Sequence, residues 1–167
     1  MRMQKMTRLG MLISTALCTC VHAAVAGDAY APLRLYAGAW QVVTKASAPA
    51  GKPDRLVNDC AQVGRYFACQ QTVNGKPGAL VVFIPDRVAG QYHNQVVLPD
   101  GAALGPPGTL VIAGEHWTYL GQPDPKGVRY RTTNAFHGRD HIHFEVAQSS
   151  DGKSWTTSMA GDETRVR

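Results

Sequence analysis

The stretch Asp59-Cys60-Ala61-Gln62-Val63-Gly64-Arg65-Tyr66-Phe67-Ala68-Cys69, inside the longer run 55–73, reads as a β-hairpin closed by a bond. Gly64-Arg65 forms a two-residue turn with glycine first, the preference of a type II′ turn. Pairing outward from it sets Val63 against Tyr66, Gln62 against Phe67, Ala61 against Ala68 and Cys60 against Cys69. A directly opposed pair without ladder hydrogen bonds brings its Cα atoms to about 4.5 Å, which is within disulfide range. The alternative is a redox-active or metal-binding pair. An eight-residue gap is not C-x-x-C, and no electropositive surroundings are expected to lower a thiol pKa.

The same grammar repeats on both sides. Strands of five to ten residues are expected at 40–46, 55–63, 66–73, 79–84, 91–98, 109–113, 116–121, 128–136, 141–148 and 154–159, with 163–167 as a further pairing stretch. Only 31–36 suggests a helical turn. Asn74-Gly75 and Asp151-Gly152 suit tight hairpins whose central residues need positive φ. Asp100-Gly101, Gly105-Pro106-Pro107-Gly108 and Pro123-Asp124-Pro125-Lys126-Gly127 punctuate loops. Nearly every connection is too short for a parallel crossover, so the sheet is expected to be antiparallel and sequential. About ten such strands would leave two long edges in an open sheet. Closure into a barrel removes them, and no connection looks like the Greek-key return of a sandwich. The expected fold is all-β, an antiparallel meander of about ten strands closed into a barrel, with one hairpin disulfide.

Ahead of these strands, residues 1–26 read as a secretory signal peptide. Arg2, Lys5 and Arg8 form a basic start, 9–18 are mostly apolar, and Ala24-Val25-Ala26 is an A-x-A cleavage site. The apolar part is shorter than the roughly 20 residues a membrane span needs. An uncleaved anchor, or a lipoprotein acylated at Cys20, are the alternatives, and Thr19 suits the second poorly. The expected organisation is a signal at 1–26 and a single barrel domain at 27–167, located in the periplasm or secreted. No transmembrane segment is expected once the signal is cleaved. Cys18 and Cys20 leave with the signal, and the remaining Cys60 and Cys69 meet an oxidising compartment, where such a pair is normally bonded.

The whole chain carries 17 Lys and Arg against 12 Asp and Glu. Removing Arg2, Lys5 and Arg8 leaves 14 against 12, a net charge of +2, with no basic run. Nucleic-acid binding needs a concentrated positive footprint, so it is excluded.

The hairpin around Gly138-Arg139-Asp140 decides which side chains face inward. A three-residue turn pairs Phe136 with Ile142 and Thr132 with Val146, gathering apolar residues on one face. His141, His143 and Glu145 then face solvent. A two-residue turn would instead turn His141 and His143 toward Phe136 and Asn134 and into the interior. In that register His-x-His plus Glu145 offers material for zinc or another divalent metal. Burial favours the first register. Tyr130, Thr132, Asn134 and Phe136 then look inward, with Arg129 and Arg131 outside. Asp140 and Glu145 fall on opposite faces, which argues against a carboxylate pair.

Gly38-Ala39-Trp40 precedes the first strand, and Arg165 and Arg167 lie in the last stretch. This resembles the calycins, the class of lipocalins and fatty-acid-binding proteins, and exported bacterial barrels of that shape. Such proteins open their first strand with Gly-x-Trp, and in lipocalins a late Arg packs across the Trp. The resemblance implies a meandering barrel with a ligand cavity and a Trp40–Arg contact at its floor. The other lipocalin motifs, the C-terminal helix and a helical lid are missing.

No G-x-S-x-G, HExxH, P-loop or dinucleotide fingerprint is present, so neither a catalytic residue nor a cofactor is assigned. The function expected is binding of a small, partly apolar ligand. Its expected lining is Trp40, Val42, Phe83, Tyr92, Trp117, Tyr119, Tyr130, Asn134, Phe136, Phe144 and Trp155, a mixture of aromatic and polar side chains usual for pockets. A metal protein or metal-dependent enzyme built on His141, His143 and Glu145, and an envelope interaction module with a filled barrel, are the alternatives.

Overall fold

The computed structural model describes residues 28–45 and 52–167. The signal read at 1–26, with Cys18 and Cys20, and the small-residue loop at 46–51 lie outside the described residues. A single 3-10 turn, Leu33–Tyr36, leads into strand β1, Gly38–Thr44. There follow β2 (Asp54–Val63), β3 (Tyr66–Val73), β4 (Lys76–Pro85), β5 (Gln91–Val97), β6 (Gly108–Ala113), β7 (His116–Leu120), β8 (Arg129–His137), β9 (His141–Ser149) and β10 (Thr156–Arg165). Each strand pairs antiparallel with its sequence neighbour, and β10 returns to β1, so the sheet is a closed barrel. Closure pairs every strand on both sides and leaves no edge to aggregate.

Turn chemistry sets the registers. At Gly64 φ is +60°, while Arg65 stays at negative φ, as a type II′ turn requires. Cys60 faces Cys69 with Cα atoms 4.0 Å apart, and the two are joined by a disulfide. Asn74 and Gly75 have φ of +53° and +77°, the type I′ pattern. At the β8–β9 hairpin His137 faces His141 and Phe136 faces Ile142, so the turn is the three-residue one. Ile142 and Phe144 are buried within the barrel, and His141 and His143 are on its outer wall.

The closed loop between Cys60 and Cys69 is short, with a sequence separation of 9. Replacing both cysteines by Ala is expected to cost about 2.5 kcal/mol through the unfolded chain's regained freedom. Urea unfolding measures it, and native alkylation of the wild type should find no free thiol at either position.

Two connections differ from the sequence reading. The stretches 154–159 and 163–167 belong to one strand, β10, with an irregularity between Thr157 and Met159. Residues 160–162, the gap between those two stretches, continue the strand, and Gly161 there is a strand residue chosen for space. A Cβ there would lie 2.8 Å from the Phe144 ring and would also press on the Val43 carbonyl oxygen. Asp151-Gly152 is not a two-residue hairpin, since Gln148 faces Thr156 and 150–155 form a longer loop. The Asp151 carboxylate organises that loop by accepting from the Lys153 and Ser154 amides and the Ser149 hydroxyl. Those bonds hold its pKa well below the usual carboxylate range.

One end of the barrel is filled. Trp40, Phe67, Leu110, Trp117, Phe136 and Ile142 are buried there against Leu33 of the 3-10 turn. The N-terminal segment is tied to this floor by two phenols: Tyr30 donates to the Arg65 carbonyl (2.5 Å) and Tyr92 to the Ala29 carbonyl (2.6 Å). Trp40 and Arg165 face each other in register. The guanidinium carbon lies 4.2 Å from the centre of the indole ring. Arg165 donates to the carbonyls of Leu35 (2.5 Å), Ala37 (2.7 Å) and Arg139 (2.9 Å). Gly38 makes this possible. Its φ is +117°, and a Cβ would stand 2.8 Å from the Arg165 Nη1. Glycine two residues before Trp40 is therefore a packing requirement of the arginine clasp.

Candidate functional site

Above the filled floor lies a cavity of about 830 Å³. Strand alternation builds it, because residues two apart share a face. β4 supplies Val81 and Phe83, β5 Asn94 and Val96, β7 Tyr119, β8 Tyr130, Thr132 and Asn134, β9 Phe144 and Val146, and β10 Met159 and Glu163. Tyr36 enters from the 3-10 turn, and Cys69 and Gln71 line the wall beside the disulfide. The mouth is framed by Leu104, Gly105 and Pro106 on one side and by Gln122, Asp124 and Pro125 on the other.

The side chains expected in the lining divide into three groups. Phe83, Tyr119, Tyr130, Asn134 and Phe144 line the cavity, with Tyr130 at the mouth and 46% exposed. Trp40, Tyr92, Trp117 and Phe136 point inward but are packed into the floor beneath it. Alternation gives the face and not the height along the barrel axis, so these two groups look alike in sequence. Val42 packs against the same floor cluster. Trp155 is outside: it lies in the β9–β10 loop, where the Arg131 guanidinium covers its ring at 4.4 Å.

Tyr36, Val81, Asn94, Val96, Val146, Met159 and Glu163 line the cavity but are outside the set expected from sequence. Glu163 is the one that changes the chemistry, and in sequence it only begins a terminal pairing stretch. In the barrel it pairs with Val42 on β1 and Ile142 on β9, both inward-facing, so its side chain is turned inside and the residue is only 6% exposed. Its Oε2 has no hydrogen-bond partner among the described residues, and neither do the buried Asn94 Oδ1 and Trp117 Nε1. Desolvation raises the Glu163 pKa to about 7. Burial and the nearby Glu163 charge push the Tyr36 and Tyr119 phenols well above their ordinary value, so both stay neutral. The inward parity of Val42 on the neighbouring strand, once β10 is known to pair with β1, is the signal that would have found Glu163.

His141, His143 and Glu145 share the outer wall with Asp162. The Asp162 Oδ1 lies 3.0 Å from His143 Nδ1 and 3.4 Å from His141 Nε2. Glu145 Oε1 stands 3.8 Å from His143 Nε2. Among the described residues no three His, Cys, Asp or Glu side chains are placed to hold a metal ion. The imidazoles engage a cross-strand aspartate on the outer wall, so the register that would turn this trio into the interior is not the one adopted.

Fold and cavity together define a closed, antiparallel, ten-stranded barrel with an interior chamber. The solved structure of Rv2717c from M. tuberculosis is similar, with a TM-score of 0.50 and 17% identity, covering 83% of this chain and 98% of that one. A structure of EF1p2_mFAP2b bound to DFHBI aligns over 80% of this chain and 96% of its own at 14% identity, with a TM-score of only 0.33. No protein-family profile matches the sequence, and a search of curated proteins finds no relative. The likeness to Rv2717c supports the fold alone.

Proposed function

We propose that this protein is an exported barrel that takes up one small, partly apolar molecule in its interior cavity. The observation that carries this reading is the cavity itself. Its volume of about 830 Å³ falls within the roughly 300–1,000 Å³ of small-molecule sites. Its wall is mainly aromatic and aliphatic with a few polar groups, the composition that binds an apolar body and orients it. A barrel acting only as a filled interaction module would have no use for such a space, since an empty interior forfeits packing. Export rests on the basic, apolar and A-x-A segments of residues 1–26 and on the bonded cysteine pair, which suits an oxidising compartment.

Native mass spectrometry of protein taken from the envelope fraction of its own host tests both parts. The expected result is a chain beginning at Gly27 that carries one extra small-molecule mass, released on denaturation. A chain beginning at Met1 or acylated at Cys20 would overturn the cleaved-signal part. A bare chain from every preparation would count against the ligand.

A further inference from the structure

We propose, building on the cavity reading above, that the occupant is an organic cation, an amine carried on an apolar or aromatic body, and that the Glu163 carboxylate receives its charge. A buried carboxylate with an unpartnered oxygen is costly, and an apolar residue of similar volume would serve stability better. The cost is recovered when a group of opposite charge enters.

No described residue supplies such a group. Among the described residues lining the cavity the only charged side chains are Glu163 and Asp124, both acidic. Arg165 lies two residues further along the same face of β10. Its guanidinium is committed to the Leu35, Ala37 and Arg139 carbonyls, to the Trp40 ring and to Asp140 at 3.4 Å. The neighbours of Glu163 across the sheet are Val42 on β1 and Ile142 on β9. The titratable groups facing it are the neutral phenols of Tyr36 and Tyr119. The chamber is therefore electronegative, and its aromatic walls add faces on which a cation is favourable. Phe83 and Tyr119, with ring centres 6.4 Å apart, provide one such wall. An anionic ligand of the same shape would meet only repulsion and desolvation.

A cation would also draw Glu163 into its ionised form. Because that group titrates near pH 7, amine binding should release a proton below that pH and tighten as pH rises through it.

The test uses the full chain with its disulfide intact and three probes sharing one ring system: naphthylmethylamine, naphthylmethanol and naphthoate. Each is titrated by calorimetry against wild type and Glu163→Gln. The amine is expected to bind wild type at least about tenfold more tightly than the alcohol, and the carboxylate more weakly than either. Glu163→Gln should bring the amine down to the alcohol while leaving the alcohol nearly unchanged. Equal affinity of amine and alcohol for wild type, or an amine preference surviving in the variant, overturns the cation assignment but leaves the cavity reading standing. Failure of all three to bind overturns both. If the variant does not fold, the wild-type ratio decides: it should rise several-fold between about pH 6 and pH 8, and a flat ratio refutes the role of Glu163.

Discussion

Trp40→Ala is expected to destabilise the protein by about 3–5 kcal/mol, the loss usual for a fully buried indole. Trp40 is 0% exposed, and its Nε1 donates to the Tyr36 carbonyl at 3.1 Å. It stands where β1 meets both β2 and β10, opposite Leu56 on one side and Arg165 on the other. Deleting it therefore opens the floor at the seam that closes the barrel. Arg165→Ala should also be costly, because it removes a cation from the ring and strands three carbonyls. In a double-mutant cycle the pair should couple by more than about 0.5 kcal/mol, since the two side chains are in contact. Arg167 gives the contrast. Its side chain is 87% exposed and pairs with Asp140 at the surface, so it should not couple with Trp40. Urea unfolding of the single and double variants measures all of this. Strict additivity of Trp40 and Arg165 would show that the clasp contributes nothing beyond two separate side chains.

The second large effect is a fall in stability as pH rises through neutrality. Unfolded, Glu163 ionises near its ordinary value of 4.5, and folded it does so only near 7 because burial disfavours the charge. Between those values the folded state holds a proton that the unfolded state has released, so stability decreases as pH increases. Below about pH 4.5 the burial carries no penalty. Above about pH 7 the penalty is complete, on the order of 3 kcal/mol. The paired or hydrogen-bonded carboxylates act in the opposite sense and in another window. The pKa values of Asp28, Asp140 and Asp151 are lowered, chiefly by hydrogen bonds from Arg34, from Arg167 and from the Lys153 amide respectively. Their contributions are lost only as pH falls below about 4. Glu163→Gln should remove the decline between pH 5 and 8 and be more stable than wild type at pH 8. Denaturation midpoints measured across that range check it, and an unchanged pH profile in the variant would show that Glu163 is not the buried acid.

How far the sequence could be read follows from which forces are local. The Cys60–Cys69 hairpin and the turn at Gly138-Arg139-Asp140 were legible because turn length fixes parity, and parity fixes every side chain on both strands. The Trp40–Arg165 clasp was legible as a resemblance, with Arg165 and Arg167 left as alternatives. The register of β1 on β10 decides between them, and it depends on closure of the whole barrel. For the same reason Glu163 was missed. Its inward direction follows from pairing with Val42 from the other end of the chain, and a carboxylate in a strand reads by default as a solvated residue. Trp155 failed for a different reason: its ring is held outside by Arg131, a contact between a loop and a strand that no periodicity reports. The division of the inward aromatics into floor and cavity depends on height along the barrel, which the plug of Leu33 and Tyr30 sets.

The most direct test of the central claim is titration of the protein with an uncharged, environment-sensitive naphthalene dye, in wild type and in Thr132→Trp. Thr132 lines the cavity on β8 between Tyr130 and Asn134, so an indole there occupies the chamber without touching the floor. The expected result is saturable binding of one dye per chain with a blue-shifted emission, abolished or weakened at least about tenfold in a Thr132→Trp protein whose far-ultraviolet circular dichroism is unchanged. Absence of saturable binding to wild type, or full binding to the folded Thr132→Trp variant, would contradict an interior ligand site.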